Sequence, residues 1–256
     1  MHGSFRAVIA AMKQRERLDK LLVDRGLVKS RERARALIME GQVVVDGVVV
    51  SKAGSIVDAG GELVLKEREM PYVGRGGLKL EAALRHFNID TRDTVAMDVG
   101  CSTGGFTDCL LKNNARKVYA IDVGYGQFDW TLRHDARIVL LEKKNIRHLE
   151  REAVPDVIDL AVIDVSFISL LKVLPKVAEF LGPGGRVLAL IKPQFEVGKG
   201  MVGKGGVVRD ETKRLSAVQG VREGATALGY SALGVYESPV RGQKGNREYF
   251  IYLGRD

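Results

Sequence analysis

The chain has 256 residues, 45% hydrophobic and 28% charged, an ordinary globular composition with length for one or two packed domains. Its 40 lysines and arginines against 32 acids give a net charge of +8 and a pI of about 9.5, which favours an anionic partner. Two cysteines and four scattered histidines exclude a disulfide framework and a metal cluster. No apolar run reaches the roughly 18 residues of a membrane span, and the apolar patch over residues 7–12 is too short for the core of a secretory signal. A cytoplasmic protein is expected, with a monomer as the default state.

In chain order, the first feature is a basic segment. Residues 12–35 hold nine lysines and arginines against four acids. Leu18, Leu21 and Leu22 space one short helix before Gly26. Ser30 caps a second, which runs through Ala34, Leu37 and Ile38 to Gly41. Gln42-Val-Val-Val45 and Val48-Val-Val50 read as a hairpin on the Asp46-Gly47 turn. A further turn at residues 58–61 leads into a strand at 62–66. Together these form a small α+β unit with one basic edge.

The order Arg17-Leu-Asp-Lys20-Leu-Leu, Gly26-Leu-Val-Lys-Ser30-Arg31, Ala34-Arg35, Ile38, Gly41 and Val45-Asp-Gly47 resembles the RNA-binding module of the ribosomal-protein S4 type. The resemblance implies a role in docking structured RNA. It puts Arg17, Lys20, Ser30, Arg31 and Arg35 on the basic edge. The domain boundaries expected from the sequence are residues 13–68 for this RNA-binding domain, 69–77 for a glycine- and proline-marked linker, and 78–256 for a second domain.

That second domain opens with an amphipathic helix over 78–87, followed by alternating strand and helix signals. Strands are expected at 94–99, 117–122, 137–141, 157–163 and 186–191, the last after the Gly182-Pro-Gly-Gly185 turn. Two late strands, 230–236 and 247–253, are joined directly. The expected fold is α/β: a Rossmann-like, doubly wound, seven-stranded sheet of the S-adenosylmethionine-dependent methyltransferase type, preceded by the small N-terminal α+β domain.

Within it, Asp98-Val-Gly100-Cys-Ser-Thr-Gly104-Gly105-Phe106 ends a strand in a glycine turn and starts a helix, so that backbone and helix N-terminus can approach a ligand closely. Asp122 ends the next strand, about twenty residues past the first glycine, where such folds grip a ribose diol. The spacing Gly-x-x-x-Gly-Gly is not the dinucleotide pattern, which disfavours a nicotinamide oxidoreductase. Asp98 would repel a pyrophosphate and suits a cationic amino-acid ligand. S-adenosylmethionine has these properties. The loop at 196–206 holds five glycines in eleven residues. It lacks the Ser/Thr of a phosphate-binding loop, so it reads as a clamp or lid beside Lys192.

Ligands in open α/β sheets sit beyond the carboxyl ends of strands. There the chain places Asp164, in Asp164-Val-Ser-Phe, and Lys192, in Lys192-Pro-Gln-Phe. Glu248 lies near the last strand and Lys79 on the helix before the sheet. The Asp-Pro-Pro-Tyr/Phe pattern of amine methylation is missing. Cys101 in the turn and Cys109 on its helix are not placed for the thiolate attack that cytosine C5 methylation needs. A hydroxyl target remains. In the resulting hypothesis Lys192 orients and deprotonates the hydroxyl, Asp164 and Glu248 fix the two ammonium groups, and Lys79 holds the ribose or an adjacent phosphate.

Lys79, Asp164, Lys192 and Glu248, in that order and context, resemble the Lys-Asp-Lys-Glu tetrad of the FtsJ/RrmJ-type ribose 2′-O-methyltransferases. With the N-terminal module and Tyr72-Val-Gly-Arg-Gly-Gly-Leu-Lys-Leu, the chain from about Arg15 onward is similar to the TlyA family. These are bacterial ribosomal RNA cytidine 2′-O-methyltransferases, also described as hemolysins. The resemblance implies S-adenosylmethionine contacts at Asp98, Gly100, Ser102, Thr103, Gly104, Gly105 and Phe106, and the ribose on Asp122. It implies an adenine edge at Asn145 and Ile146, and ribosomal RNA or ribosomal subunits as partner. Gly74 departs from the serine of many relatives. The competing reading is an RNA-binding or hemolysin-type protein with an inactive methyltransferase domain.

Overall fold

The computed structural model describes residues 15–39, 41–65, 70–198, 200–203, 205–242 and 244–255. The expected outer limits of the first domain at 13 and 68, and Lys199 and Lys204 of the glycine-rich loop, lie outside them. The chain divides into two compact units, Met1–Met70 and Pro71–Asp256.

The first unit runs β1 (Arg15–Arg17), α1 (Leu18–Asp24), α2 (Arg31–Met39), β2 (Val43–Val45), β3 (Val48–Val50), β4 (Ile56–Asp58) and β5 (Leu63–Leu65). The apolar spacing of the two helices puts Leu18, Leu22, Ala34, Leu37 and Ile38 into one core with Val43 and Val45. Ser30 caps α2 by accepting the Arg33 amide at 3.2 Å. Asp46 and Gly47 both take positive φ, 48° and 80°, the turn that matches the twist of a two-residue hairpin. The sheet order is β3-β2-β5. The sequence reading lacked the antiparallel pair β1–β4, whose short strands carry no alternation of their own.

The second unit contains α3 (Gly76–His86), β6 (Val95–Val99), α4 (Gly105–Lys112), β7 (Lys117–Ile121), β8 (Ile138–Leu141), β9 (Ile158–Ile163), α5 (Leu174–Ala178), β10 (Leu181–Ile191), α6 (Pro193–Glu196), α7 (Glu211–Ala227), β11 (Ser231–Glu237) and β12 (Tyr249–Gly254). Among the described residues these strands form one seven-stranded sheet, ordered β11-β12-β10-β9-β6-β7-β8. The pairs from β8 to β10 are parallel, and β12 runs antiparallel to both β10 and β11. Strand alternation sends Val95, Met97 and Val99 to a core shared with α5 and α7. Ala96, Val162 and Leu190 go to a core shared with α3 and α4. The Gly182–Gly185 turn is taken up inside β10, where the pairing with β9 shifts register between Leu181 and Arg186.

Of the segment expected to be a linker, Tyr72 is buried in the α3–α4 core, and the Val73 amide donates to Asp108 at 2.9 Å. Gly77 makes this possible, since a Cβ there would lie 2.2 Å from Tyr72 Cγ.

This topology assembles the site. Parallel strands β6, β7, β9 and β10 all end at one edge of the sheet, and antiparallel β12 begins there. Residues just after four strands and just before a fifth are thereby brought together.

Candidate active site

The glycine turn follows β6. Gly100 and Gly104 take φ of 86° and 94°, a left-handed region open mainly to glycine. A Cβ at Gly100 would stand 2.6 Å from the Asp164 carbonyl oxygen, and one at Gly104 would lie 2.8 Å from Leu132. The turn is tied to β7 by the Gly100 amide on Ile121 O at 2.8 Å and to β9 by the Asp164 amide on Val99 O at 2.9 Å.

Asp98 is fully buried. Thr107 Oγ1 donates to its Oδ2 at 2.7 Å, while Oδ1 has no hydrogen-bond partner among the described residues. Burial, reinforced by the nearby Asp164 and Asp122 charges, raises its pKa to about 7. Asp122 follows β7, half-buried; its Oδ2 accepts the Ser102 amide at 2.8 Å and its Oδ1 the Gly124 amide at 2.6 Å. These bonds fix the carboxylate and leave it lone pairs for a diol. Ser102 and Thr103 are exposed in the turn, Gly105 starts α4, and Phe106 is buried against Phe250 with ring centroids 6.2 Å apart.

Two lysine–carboxylate pairs stand beside the turn. Lys192 follows β10, held extended by Pro193 (φ −109°, ψ 99°). Its Nζ lies 2.6 Å from Asp164 Oδ1 and donates to Ser166 Oγ at 2.8 Å. Asp164 Oδ1 accepts no directed hydrogen bond among the described residues, so its contact with Lys192 is one of charge. Lys79, on α3, donates from Nζ to Glu248 Oε2 at 2.7 Å across 169 residues of chain. This second pair is the more buried, with 11% and 3% of the side chains exposed.

A cavity of about 660 Å³ is lined by Lys79, Asp164, Lys192 and Glu248 together with Gly100, Ser102, Thr103, Gly105 and Phe106. The structure thus brings all four predicted catalytic residues and most of the glycine turn to one space. Phe167 also borders it, 90% exposed at a left-handed φ of 65°, its ring 5.0 Å from that of Phe195. Val202 and Gly206 of the glycine-rich loop line the same cavity.

Asn145 and Ile146 follow β8 at the same carboxyl edge of the sheet, where the Lys144 amide donates to Asp122 O at 2.9 Å. Asn145 is exposed and caps a 3₁₀ turn by accepting the Arg147 amide at 3.1 Å. The Ile146 side chain is buried in the sheet core, so only its backbone is free to meet a ligand. Burial pushes the Cys101 thiol up, and that of Cys109 to about 12, a poor setting for a thiolate.

Three residues escaped the sequence reading. Ser166 holds Lys192. Gln194 lines the cavity with a buried Oε1 that has no partner among the described residues. Asn246, buried, accepts the Val208 amide at 3.0 Å and donates to Gly206 O at 2.8 Å, joining the glycine-rich loop to the segment before Glu248. Each lies two residues from a tetrad member, which is the signal that could have drawn attention to it. Gly74 also gains an explanation: a Cβ there would lie 2.6 Å from Thr103 Oγ1, so serine would require Thr103 to turn away.

In the first unit, Arg17, Arg31 and Arg35 converge on one buried carboxylate, Asp19. Lys20 is engaged instead with Glu16 and with Asp24 at 3.5 Å, and Ser30 serves as the helix cap.

Comparison with known proteins agrees with this anatomy. The family model described as FtsJ-like methyltransferase matches residues 72–255, and the S4 domain model matches residues 16–63. The 16S/23S rRNA (cytidine-2′-O)-methyltransferase TlyA of Mycobacterium tuberculosis is 45% identical over 243 residues, covering 94% of this chain and 91% of that protein. Hemolysin A of Brachyspira hyodysenteriae is 40% identical over 93% of this chain and 99% of its own length. The solved structure "Putative hemolysin from Streptococcus thermophilus" aligns with a TM-score of 0.74 at 42% identity, covering 95% of this chain and 89% of that one. Fold, paired tetrad and these matches together show that the chain belongs to the FtsJ-like methyltransferases, in the TlyA group that carries an S4 domain ahead of the catalytic sheet.

Proposed function

We propose that this chain transfers a methyl group from S-adenosylmethionine to the 2′-hydroxyl of a cytidine ribose in ribosomal RNA. The observation that carries the reading is the pair of contacts Lys192–Asp164 at 2.6 Å and Lys79–Glu248 at 2.7 Å on the wall of the cavity that also receives the glycine turn. The nucleotide and RNA class come from the TlyA relative, named for this reaction on 16S and 23S rRNA.

The residues of the turn fit the methyl donor. Asp98 Oδ1 is a buried acceptor without a partner among the described residues, suited to an amine, and Asp122 is fixed toward a diol. Gly100 lets backbone pack where any Cβ would collide. When bound, S-adenosylmethionine supplies a methyl on a positively charged sulfur, open to displacement.

The remaining work falls to the chain. Lys192 Nζ, held by Asp164 and Ser166, meets the 2′-oxygen and aligns it in line with the methyl. Having first released its own proton to solvent, the neutral amine takes the proton of the hydroxyl and returns to the ammonium form. Such alignment can supply much of the rate, on the order of 7–11 kcal/mol in well-oriented systems. Lys79, braced by Glu248, faces the ribose or its neighbouring phosphate. Phe167 and Phe195 offer aromatic faces to a base lifted out of its stack. The S4 unit docks the RNA through its arginines. One chain supplies all four tetrad residues, which supports a monomer as the working unit, and action on ribosomal RNA supports a cytoplasmic location.

Incubation with tritiated S-adenosylmethionine and separately prepared unmodified ribosomal subunits, followed by alkaline hydrolysis, tests the reading. Label in a hydrolysis-resistant dinucleotide with cytidine at its 5′ side is the expected product. Label released in mononucleotides would mean base methylation and a different catalytic assignment.

A further inference from the structure

Asp19 is an acid inside a basic segment. Its side chain is fully buried at the start of α1, beside Leu18, which enters the core. Its environment is not apolar at the carboxyl end, however. Arg17 Nε donates to Oδ1 at 3.0 Å and Arg17 Nη2 to Oδ2 at 3.0 Å. Arg31 Nη2 reaches the same Oδ2 at 2.9 Å, and Arg35 Nε reaches it at 3.2 Å. Three guanidinium groups from β1 and α2 therefore meet on one oxygen. The carboxyl is held far below the usual carboxylate range, chiefly by the hydrogen bond from Arg17.

The two sides of this cluster differ in exposure. The acid is sealed, while the three arginine side chains remain 47%, 46% and 47% exposed. Each arginine uses one or two of its five N–H donors on Asp19, so the others remain for an outside acceptor. Charge does not cancel either: three cations on one anion leave a local excess of two. A planar guanidinium binds phosphate oxygens in a paired geometry that depends on orientation. A flexible surface arginine must lose rotamer freedom to reach it.

We infer that Asp19 is the positioning residue of a phosphate-binding site formed by Arg17, Arg31 and Arg35, which holds the three guanidiniums in the orientation that receives the RNA backbone. The inference rests on the docking role proposed for the first unit. Lys20 and Ser30 take no part in the site: one is bound to Glu16 and Asp24, the other to its own helix end. The bulk positive charge of the segment then matters less than its arrangement.

Substitution Asp19→Asn separates the two, because charge and orientation predict opposite signs. Loss of the anion raises the local charge by one, which on charge alone tightens RNA binding and steepens its salt dependence. Loss of the organiser frees three arginines and weakens binding. Full-length protein and in vitro transcripts of 16S and 23S rRNA serve for the titration, at several salt concentrations. The expected result is a roughly tenfold loss of affinity, the scale of one charge-assisted contact, with a shallower salt slope. A lowered unfolding midpoint of the first unit, from loss of the buried ion pairs, and unchanged S-adenosylmethionine binding would accompany it. Arg17→Lys gives a second reading that does not disturb the buried acid: charge is conserved, the fork is lost, and affinity is expected to fall by a similar factor. Asp19→Asn in an Arg17→Ala/Arg31→Ala/Arg35→Ala background should change RNA affinity no further. Equal or tighter binding by Asp19→Asn or by Arg17→Lys, with wild type binding normally, overturns the inference alone. Failure of wild type to bind either transcript overturns the docking reading beneath it.

Discussion

Asp98 sits on a strand buried on both faces, and burial raises its pKa to about 7. Because the folded pKa lies above the ordinary carboxylate value, the stability linked to this group is full at low pH and is lost as pH rises through about 7. Unfolding of the ligand-free protein should therefore occur at lower temperature at pH 7 than at pH 5, by up to about 1.4 kcal/mol of stability per pH unit between the ordinary carboxylate value and about 7, and should level off above that. Asp98→Asn should flatten that dependence in thermal scans. A cationic ligand favours the ionised form, so cofactor affinity should rise over the same interval and be weakened by the same substitution. At the other side of the cavity, Lys192→Ala should lower methyl transfer by at least about a hundredfold, the scale of a lost general base, while calorimetric binding of S-adenosylmethionine persists. Loss of cofactor binding instead would reassign Lys192 to the cofactor pocket.

Among the elements, the glycine turn and the end of β9 act as one piece. The Asp164 amide bonds to Val99 O at 2.9 Å, and its carbonyl oxygen occupies the space where a Gly100 Cβ would be, 2.6 Å away. Gly100→Ala should thus cost at least about 1–2 kcal/mol from the left-handed backbone, visible as a lowered unfolding midpoint, and should reduce turnover by displacing Asp164. A variant with full activity would show that the turn yields without moving the tetrad. This region was readable in advance because its signals are local: apolar runs, a glycine cluster, an acid at each strand end. The strands of the sheet accordingly fall within a few residues of their expected positions, with β10 extending furthest beyond its own. The missing parts depend on distant partners. Helix α7 has apolar positions diluted by Gly220 and Gly224, and Gly224 is needed because a Cβ there would lie 2.5 Å from Leu171. Asp19 looked like one acid among many cations until three arginines from two elements closed on it.

At the scale of the molecule, the catalytic unit is closed by its own ends. Lys79 comes from the first helix and Glu248 from the threshold of the last strand, and their contact spans 169 residues. That strand, β12, is not at the margin of the sheet: it lies between β10 and β11, paired with both. A stop codon in place of Tyr249 would leave β11 without a neighbour and Phe250, Ile251 and Leu253 missing from the core. The shortened product should lack a cooperative unfolding transition in this unit and bind no cofactor, whereas a product ending at residue 254 should behave normally. The catalytic sheet therefore cannot be completed until β12 has been made. Nonsense and frameshift alleles should accordingly disable the enzyme equally well at any position ahead of β12, since each of them leaves the sheet without an interior strand.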